Sequence, residues 1–250
     1  MPDSRAIRTI GLEADPMQLA RVWPDDWPLM MIHSGRSHPR WARWSILARP
    51  IAAWRFDGRS KFSGAEIVDV GDVEPDDPLD ILDGILQATA QSNEPSPTAR
   101  IPFTGGWIGY LSYDLGRVIE PCAQTTRGAR KDRLWPLIEL AYCPDALVHD
   151  NINGQWYEVG SGQLREQLRL DDSPAWSGEH PSAEIGDIQS SLDPDSYLNA
   201  IGRAIEYIEA GDVYQANITQ RFSAPFSGSS RALWQAAMDS GIECASLIPR

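Results

Sequence analysis

Three cysteines, Cys122, Cys143 and Cys244, are all that 250 residues contain. Their number is odd and their spacing wide, and no Cys-Xaa-Xaa-Cys pair occurs, so neither a disulfide framework nor a zinc site is indicated. Histidine is also scarce, with four residues against ten tryptophans. His33, His38, His149 and His180 stand apart, with no cysteine or carboxylate at ligand spacing, so no base, triad or metal site is read from them. Positive charge is short as well: 22 Lys and Arg against 35 Asp and Glu leave a net charge of −13. That balance argues against nucleic acid, whose phosphates it repels, while a local cationic pocket can still take a small anion. No apolar run approaches a membrane span and no apolar leader follows the first charges, so cytoplasm is the expected compartment. Internal repeats are absent, and so is any Gly-Lys-Ser/Thr phosphate loop.

What is present is a packable chain, 42% hydrophobic, long enough for one large domain or two small ones. Leu29–Ile32 and Ser45–Ala48 are short buried-type strands bounded by Gly35, Pro39 and Pro50. Asp77-Pro78 supplies an N-cap and first helical residue before Leu79, Leu82, Ile85 and Leu86, a short amphipathic helix. Asn153-Gly154 lies between Ala146–Val148 and Trp156–Val159 and predicts a hairpin. Gln163–Leu170 adds a short helix. From Asp171 to Pro194 the composition shifts to Pro, Ser, Gly and acids, the signature of a connection. Another helix is expected over Arg231–Asp239, capped by Ser229 or Ser230 and ended by Gly241, with a strand starting after it.

The stretch with the most chemistry is Ala210–Phe222. Tyr197, Ile201, Ala204, Ile205 and Ile208 mark one apolar helix face, and Gly211 sits where a left-handed glycine ends such a helix. Beyond it, Tyr214, Ala216, Ile218 and Phe222 alternate with Gln215, Asn217, Thr219 and Arg221. The spacing predicts a strand with one face in a core and the other showing amides, a hydroxyl and a guanidinium. Such a face suits a small carboxylate-bearing anion, since neutral donors and one forked cation can satisfy carboxylates. A polar solvent-facing edge is the plainer reading of the same alternation.

Gly105-Gly106-Trp107-Ile108-Gly109 precedes Leu111, Leu115, Val118 and Ile119, which have helical spacing. A glycine loop opening a helix can cradle phosphate. Without a nucleotide fingerprint, close backbone approach between layers is the better reading of these glycines.

Three patches, in order, resemble the chorismate-utilising family of aminodeoxychorismate synthase component I and anthranilate synthase component I. They are His33-Ser34-Gly35 with Arg43–Ala48 and Pro50, then Pro102–Arg117 with its Gly-Gly, Gly-Tyr and Tyr-Asp pairs, then Ala210–Phe222. Asn217 and Thr219-Gln220-Arg221-Phe222 look more like the aminodeoxychorismate branch. Ala216 and the run Ile242–Ser246 depart from the family pattern.

The resemblance implies an α+β fold of layered antiparallel β-sheets with peripheral helices. It implies a family N-terminal domain over 1–170, a linker over 171–194 and the opening of a chorismate-binding domain over 195–250. The chain is expected to be incomplete, with the principal catalytic and metal-binding positions beyond Arg250. For the whole enzyme it implies amination of chorismate at C4 to 4-amino-4-deoxychorismate, for para-aminobenzoate and folate synthesis. Ammonia would come from a glutamine amidotransferase partner and Mg²⁺ would act as a Lewis acid. Gln215, Asn217, Thr219 and Arg221 are then supporting groups on the substrate side. Anthranilate synthesis and a non-catalytic amino-acid-binding module stay open as alternatives.

The resemblance also implies a tryptophan pocket at Ser34, Trp41, Ala42, Arg43 and Trp44. A hydroxyl and backbone groups there could hold a zwitterion while aromatic faces enclose an indole. A plain core with Trp44 buried and Arg43 at the surface is the preferred reading of those residues.

Overall fold

In the computed structural model, which describes residues 6–35, 38–57, 78–89, 101–120, 135–170, 182–241 and 244–247, the chain divides into two compact units. One holds Met1–Gly178 and Ala237–Arg250, the other Glu179–Ala236.

In the first unit, β1 (Ala6–Ile10) leads to α1 (Pro16–Val22). Asp15 caps α1 reciprocally: its carboxylate accepts the Gln18 N–H at 2.8 Å, and the Gln18 amide oxygen accepts the Asp15 N–H at 2.9 Å. Such a cap contributes about 1 kcal/mol. Next come β2 (Met30–Ser34), β3 (Trp44–Arg49) and β4 (Ala52–Phe56), then α2 (Pro78–Thr89) and β5 (Gly106–Leu111). A 3₁₀ turn (Tyr113–Leu115) and α3 (Gly116–Ile119) lead to β6 (Ile138–Cys143), β7 (Asp145–Asp150), β8 (Gln155–Gly160) and α4 (Leu164–Gln167). The expected hairpin is β7–β8, which pairs Asp150 with Gln155 across a turn where Gly154 takes φ +72°.

Two antiparallel sheets result. Six strands run in the order β1-β8-β7-β3-β2-β13, the last being Cys244–Leu247, and three run β4-β6-β5. Alternation puts Met30, Ile46, Ala48, Ala146, Val148 and Val159 of the larger sheet in one core with Ile108, Ala141 and Cys143 of the smaller. The opposite face of the smaller sheet, Trp54, Phe56, Ile138 and Leu140, packs on Ile81 and Ile85 of α2 and on Leu115. Each fully buried aliphatic side chain of this kind stabilises the fold by roughly 1.5–3 kcal/mol.

The glycine patch differs from the helical expectation at its start. Residues Gly106–Leu111 form a strand because β6 offers a full ladder partner, and helical turns begin only at Tyr113. Gly109 opposes Leu140, and a Cβ there would run into the Glu139 carbonyl oxygen. Close approach, not phosphate binding, accounts for that glycine. The Asp77 cap lies outside the described residues, as do Cys122, His180 and the connection over 171–181.

The second unit contains β9 (Ala183–Ile185), β10 (Gln189–Ser190), α5 (Pro194–Ala210), β11 (Phe222–Ser223) and β12 (Phe226–Gly228). β10 pairs with β11 and β9 with β12, two ribbons of two strands each. α5 starts as its sequence asks, with Asp193 accepting the Ser196 N–H at 2.9 Å and Pro194 in the first turn. It ends at Gly211, φ +81°. α6 (Ser230–Asp239) follows, its Ala232 N–H donating to Ser229 Oγ at 3.3 Å, and Gly241 takes φ +96° after it.

These boundaries differ from divisions at 170 and 194. Two short strands, β9 and β10, lie within 182–194, so the turn-rich composition there reflects ribbons as well as connection. Residues 237–250 fall in the first unit because β13 pairs with β2, a contact that local composition cannot signal.

Candidate functional site

The β2–β3 connection carries the residues expected to form an amino-acid pocket. Ser34, at the end of β2, donates its hydroxyl to the Trp44 carbonyl at 3.2 Å. His38 and Ala42 exchange backbone hydrogen bonds at 3.1 and 3.2 Å, and the His38 ring nitrogen accepts the N–H groups of Arg40 and Trp41. His38 therefore organises the turn. Trp41 projects from it, 74% exposed, with the Arg40 guanidinium 4.4 Å from its ring centre.

Arg43 and Trp44 turn the other way. The Arg43 guanidinium lies 4.8 Å from the Trp44 ring centre and forms an ion pair with Asp150 at the end of β7. Trp44 is half-buried against the inter-sheet core and tilts toward Tyr157 at 6.3 Å. Burial pushes the Asp150 carboxyl upward, but the Arg43 hydrogen bond and backbone donors outweigh it and hold the group below its usual range. The same bond raises Arg43. The structure thus joins Ser34, Arg43 and Trp44 around Asp150 and Tyr157, and leaves Trp41 and Ala42 on a protruding turn. Trp44 is partly buried against the core and Arg43 is exposed.

A second polar group sits one register step away on the opposite face of the same sheet. The His33 ring nitrogen Nδ1 meets Ser45 Oγ at 2.8 Å, Asn151 Nδ2 donates to Ser45 Oγ at 2.9 Å, and His149 Nδ1 meets Asn151 Oδ1 at 2.7 Å. Ser45 Oγ also lies 3.1 Å from Asn151 Oδ1, so the row runs in either of two directions: the Ser45 hydroxyl donates to a bare His33 Nδ1, or it accepts from a protonated one and donates to Asn151. Burial lowers the His33 pKa, Asp15 opposes that and His149 reinforces it. The ring of His149 also stacks at 4.6 Å on Trp156, whose indole N–H reaches the Ala14 carbonyl. Sequence reading missed this row because its members lie on three strands; polar residues at inward positions of alternating strands were the available signal.

The stretch from Tyr214 to Arg221 departs from the strand its alternation predicts. Only Phe222-Ser223 pair with β10, the ladder extended by a Ser191 N–H to Arg221 carbonyl bond of 2.8 Å. Residues 214–220 make no backbone hydrogen bond among the described residues. Alternation states which face could be buried, but a strand also needs a neighbour. Tyr214, expected inside, is 97% exposed, and Gln215, Asn217, Thr219 and Arg221 are exposed as well. Gln215 reaches Asn217 at 3.4 Å, while Gln220 accepts the Ser190 hydroxyl at 2.8 Å. The four polar residues are therefore close in sequence without sharing one strand face.

Among the described residues, no three or more His, Cys, Asp or Glu side chains gather as a metal would require. No helix among them is long and apolar enough to cross a membrane.

Comparison with known proteins gives a consistent picture. The sequence model described as chorismate binding enzyme matches residues 36–245. Aminodeoxychorismate synthase component 1 of Escherichia coli is 27% identical over 208 residues, 83% of this chain and 44% of that protein. Anthranilate synthase component 1 of Pseudomonas putida is 28% identical over 229 residues, covering 82% and 45%. The crystal structure of anthranilate synthase component I from Streptococcus pneumoniae superposes with a TM-score of 0.54 at 22% identity, covering 82% of this chain and 46% of that one. The layered α+β fold is thereby shared. The chain spans about half the length of the curated relatives it matches.

Proposed function

The chain belongs to the chorismate binding enzyme family, and from that premise we propose that it is part of an aminodeoxychorismate synthase component I. The complete enzyme would join the nitrogen of ammonia to C4 of chorismate, with the C4 hydroxyl lost as water, giving 4-amino-4-deoxychorismate. The ammonia would be delivered by a glutamine amidotransferase partner, and para-aminobenzoate and folate synthesis would consume the product. The observation that carries this branch is the run Asn217 and Thr219-Gln220-Arg221-Phe222, directly after the helix-ending Gly211. Similarity to the Escherichia coli relative over 83% of the chain supports it.

In this reading Gln215, Asn217, Thr219 and Arg221 bind and orient. Amide and hydroxyl donors with one guanidinium can hold the two carboxylates of chorismate at fixed angles, and charge-assisted bonds of this type are the stronger ones. Mg²⁺ supplies Lewis acidity to carboxylate chemistry when bound. The described residues bring no donor set together for it, so its ligands would have to come from elsewhere in the complete enzyme, and no step is assigned to it here.

The test is to assay the polypeptide, in the full length its gene encodes, with chorismate, ammonium and Mg²⁺. Accumulation of 4-amino-4-deoxychorismate, resolved by chromatography, is expected. Fluorescent anthranilate would instead establish the tryptophan branch, which the similarity to anthranilate synthase component 1 favours as a second reading. Tryptophan binding without turnover would leave a binding module built on the Ser34–Trp44 turn.

A further inference from the structure

Arg221 is held by one residue at both of its backbone groups. The Ser191 N–H donates to the Arg221 carbonyl at 2.8 Å, and the Ser191 hydroxyl oxygen accepts the Arg221 N–H at 2.9 Å. The β10–β11 ladder itself stops one step earlier, at Ser190 opposite Phe222. Ser191 therefore lengthens the ribbon by one residue, its side chain standing in for a ladder acceptor. Residues 214–220 make no backbone hydrogen bond among the described residues, so Arg221 is where the polar segment becomes fixed.

Ser191 is itself built into the start of α5. On one side of it, the Ser190 hydroxyl lies 2.8 Å from the Leu192 carbonyl and accepts the Leu192 N–H at 3.3 Å. On the other, Asp193 accepts both the N–H and the hydroxyl of Ser196, at 2.9 and 2.6 Å. The opposite end of the segment is tied near the opposite end of the same helix, where the Asp212 and Val213 N–H groups meet the Tyr207 carbonyl at 3.0 and 3.4 Å. Pro194 and Tyr207 stand about 20 Å apart along the helix axis. The chain from Val213 to Arg221 spans at most about 26–29 Å. The segment thus runs back along α5 between two fixed points with little slack, and Ser191 decides where its Arg221 end stands. A forked cation meets a carboxylate only over a narrow range of distance and angle, and small displacements of a substrate-orienting group are costly.

We infer that Ser191 is a positioning residue: its hydroxyl sets the backbone of Arg221 so that the guanidinium meets a substrate carboxylate. The inference rests on the reading above in which Arg221 lies on the substrate side. Ser191 touches no substrate in this account and acts only through Arg221.

The test is a double-mutant cycle in the polypeptide at the full length its gene encodes. Chorismate affinity is read by titration calorimetry, and turnover as kcat and KM. Ser191→Ala should weaken chorismate binding and lower kcat/KM by roughly three- to tenfold, the size of one net hydrogen bond, with the loss in KM. Ser191→Thr keeps the hydroxyl and should stay within about twofold of the wild type. In an Arg221→Ala background the Ser191→Ala step should change affinity and kcat/KM by less than about twofold, because residues that act through one another are not additive. Equal losses in the two backgrounds would give Ser191 a merely structural role and overturn the inference. So would wild-type kinetics for Ser191→Ala, or an equal loss for Ser191→Thr. Wild-type affinity and turnover for Arg221→Ala would sink the substrate-side reading of Arg221 and this inference with it. Anthranilate as the product would sink the proposed reaction alone, since the Ser191–Arg221 coupling is read from whichever product forms. No chorismate binding by the wild type would sink both.

Discussion

Arg43 places Nε at 3.0 Å and Nη2 at 2.6 Å from one oxygen of Asp150, Oδ2, across 107 residues of sequence. The other oxygen of Asp150 accepts the Ile152 N–H at 3.1 Å, so one fully buried carboxylate fixes both the β2–β3 connection and the β7–β8 turn. Asp150→Ala removes all of these bonds at once. It should destabilise the first unit by about 1–3 kcal/mol, while Arg43→Ala, which leaves the buried carboxylate without its cation, should cost at least as much. Urea denaturation at pH 7 measures both. Equal, negligible effects would show that the pair only decorates the surface.

The depressed Asp150 carboxyl also sets a direction with acid. A carboxyl held below its unfolded value contributes stability above that value, lost as pH falls through the folded one. The wild type should therefore lose more stability than Asp150→Asn below about pH 4. Parallel acid titrations of the two proteins would remove Asp150 from the linkage.

His33 acts at higher pH and through the opposite charge. Burial disfavours its imidazolium, so its folded value lies below the ordinary one. A base depressed in this way contributes fully above its unfolded value near 6.5 and loses that contribution as pH falls below it. Between pH 7 and 5 the wild type should lose stability that His33→Gln does not lose. Once the ring is protonated, Nδ1 can only donate, so Ser45 Oγ must accept there and turn its own proton to Asn151 Oδ1. A wild-type denaturation midpoint flat over that range would exclude His33 as the sensitive group.

The two pairs show what local sequence can and cannot carry. The Asn153-Gly154 hairpin, the Gly211 stop and the Ser229 cap were readable because each is decided within a few residues. Arg43–Asp150 and the His33–Ser45–Asn151–His149 row depend on strands 100 residues apart finding their register, and alternation fixes a face without naming a neighbour. The failure at Tyr214–Arg221 has the same cause. Its periodicity is that of a strand, but the described residues provide no strand beside it.

Gly109 gives a test of the sheet that carries the glycine patch. Its added Cβ would meet the Glu139 carbonyl and lie 2.8 Å from Leu140 Cα, both backbone atoms that cannot swing aside. Gly109→Ala should cost about 1–3 kcal/mol by overpacking, whereas Gly116→Ala, with open space around it, should cost far less. Similar midpoints for the two variants in thermal melts would contradict the close β5–β6 approach.

Asn217 is the residue on which the proposed chemistry can be weighed most directly. Its carboxamide is exposed and bonded only weakly, to Gln215 at 3.4 Å, so its removal should leave the fold unchanged. If it donates to a substrate carboxylate in the complete enzyme, Asn217→Ala removes one hydrogen bond to a charged group, about 1.5–3 kcal/mol. That corresponds to a fall in kcat/KM of roughly 10- to 100-fold. A loss confined to KM would mean that the amide holds ground state and transition state alike, as a binding group must; a loss in kcat would put it against the reacting centre. Unchanged kcat and KM, with an unchanged melting curve, would take Asn217 out of the site and with it the strongest reason to read this segment as the substrate side.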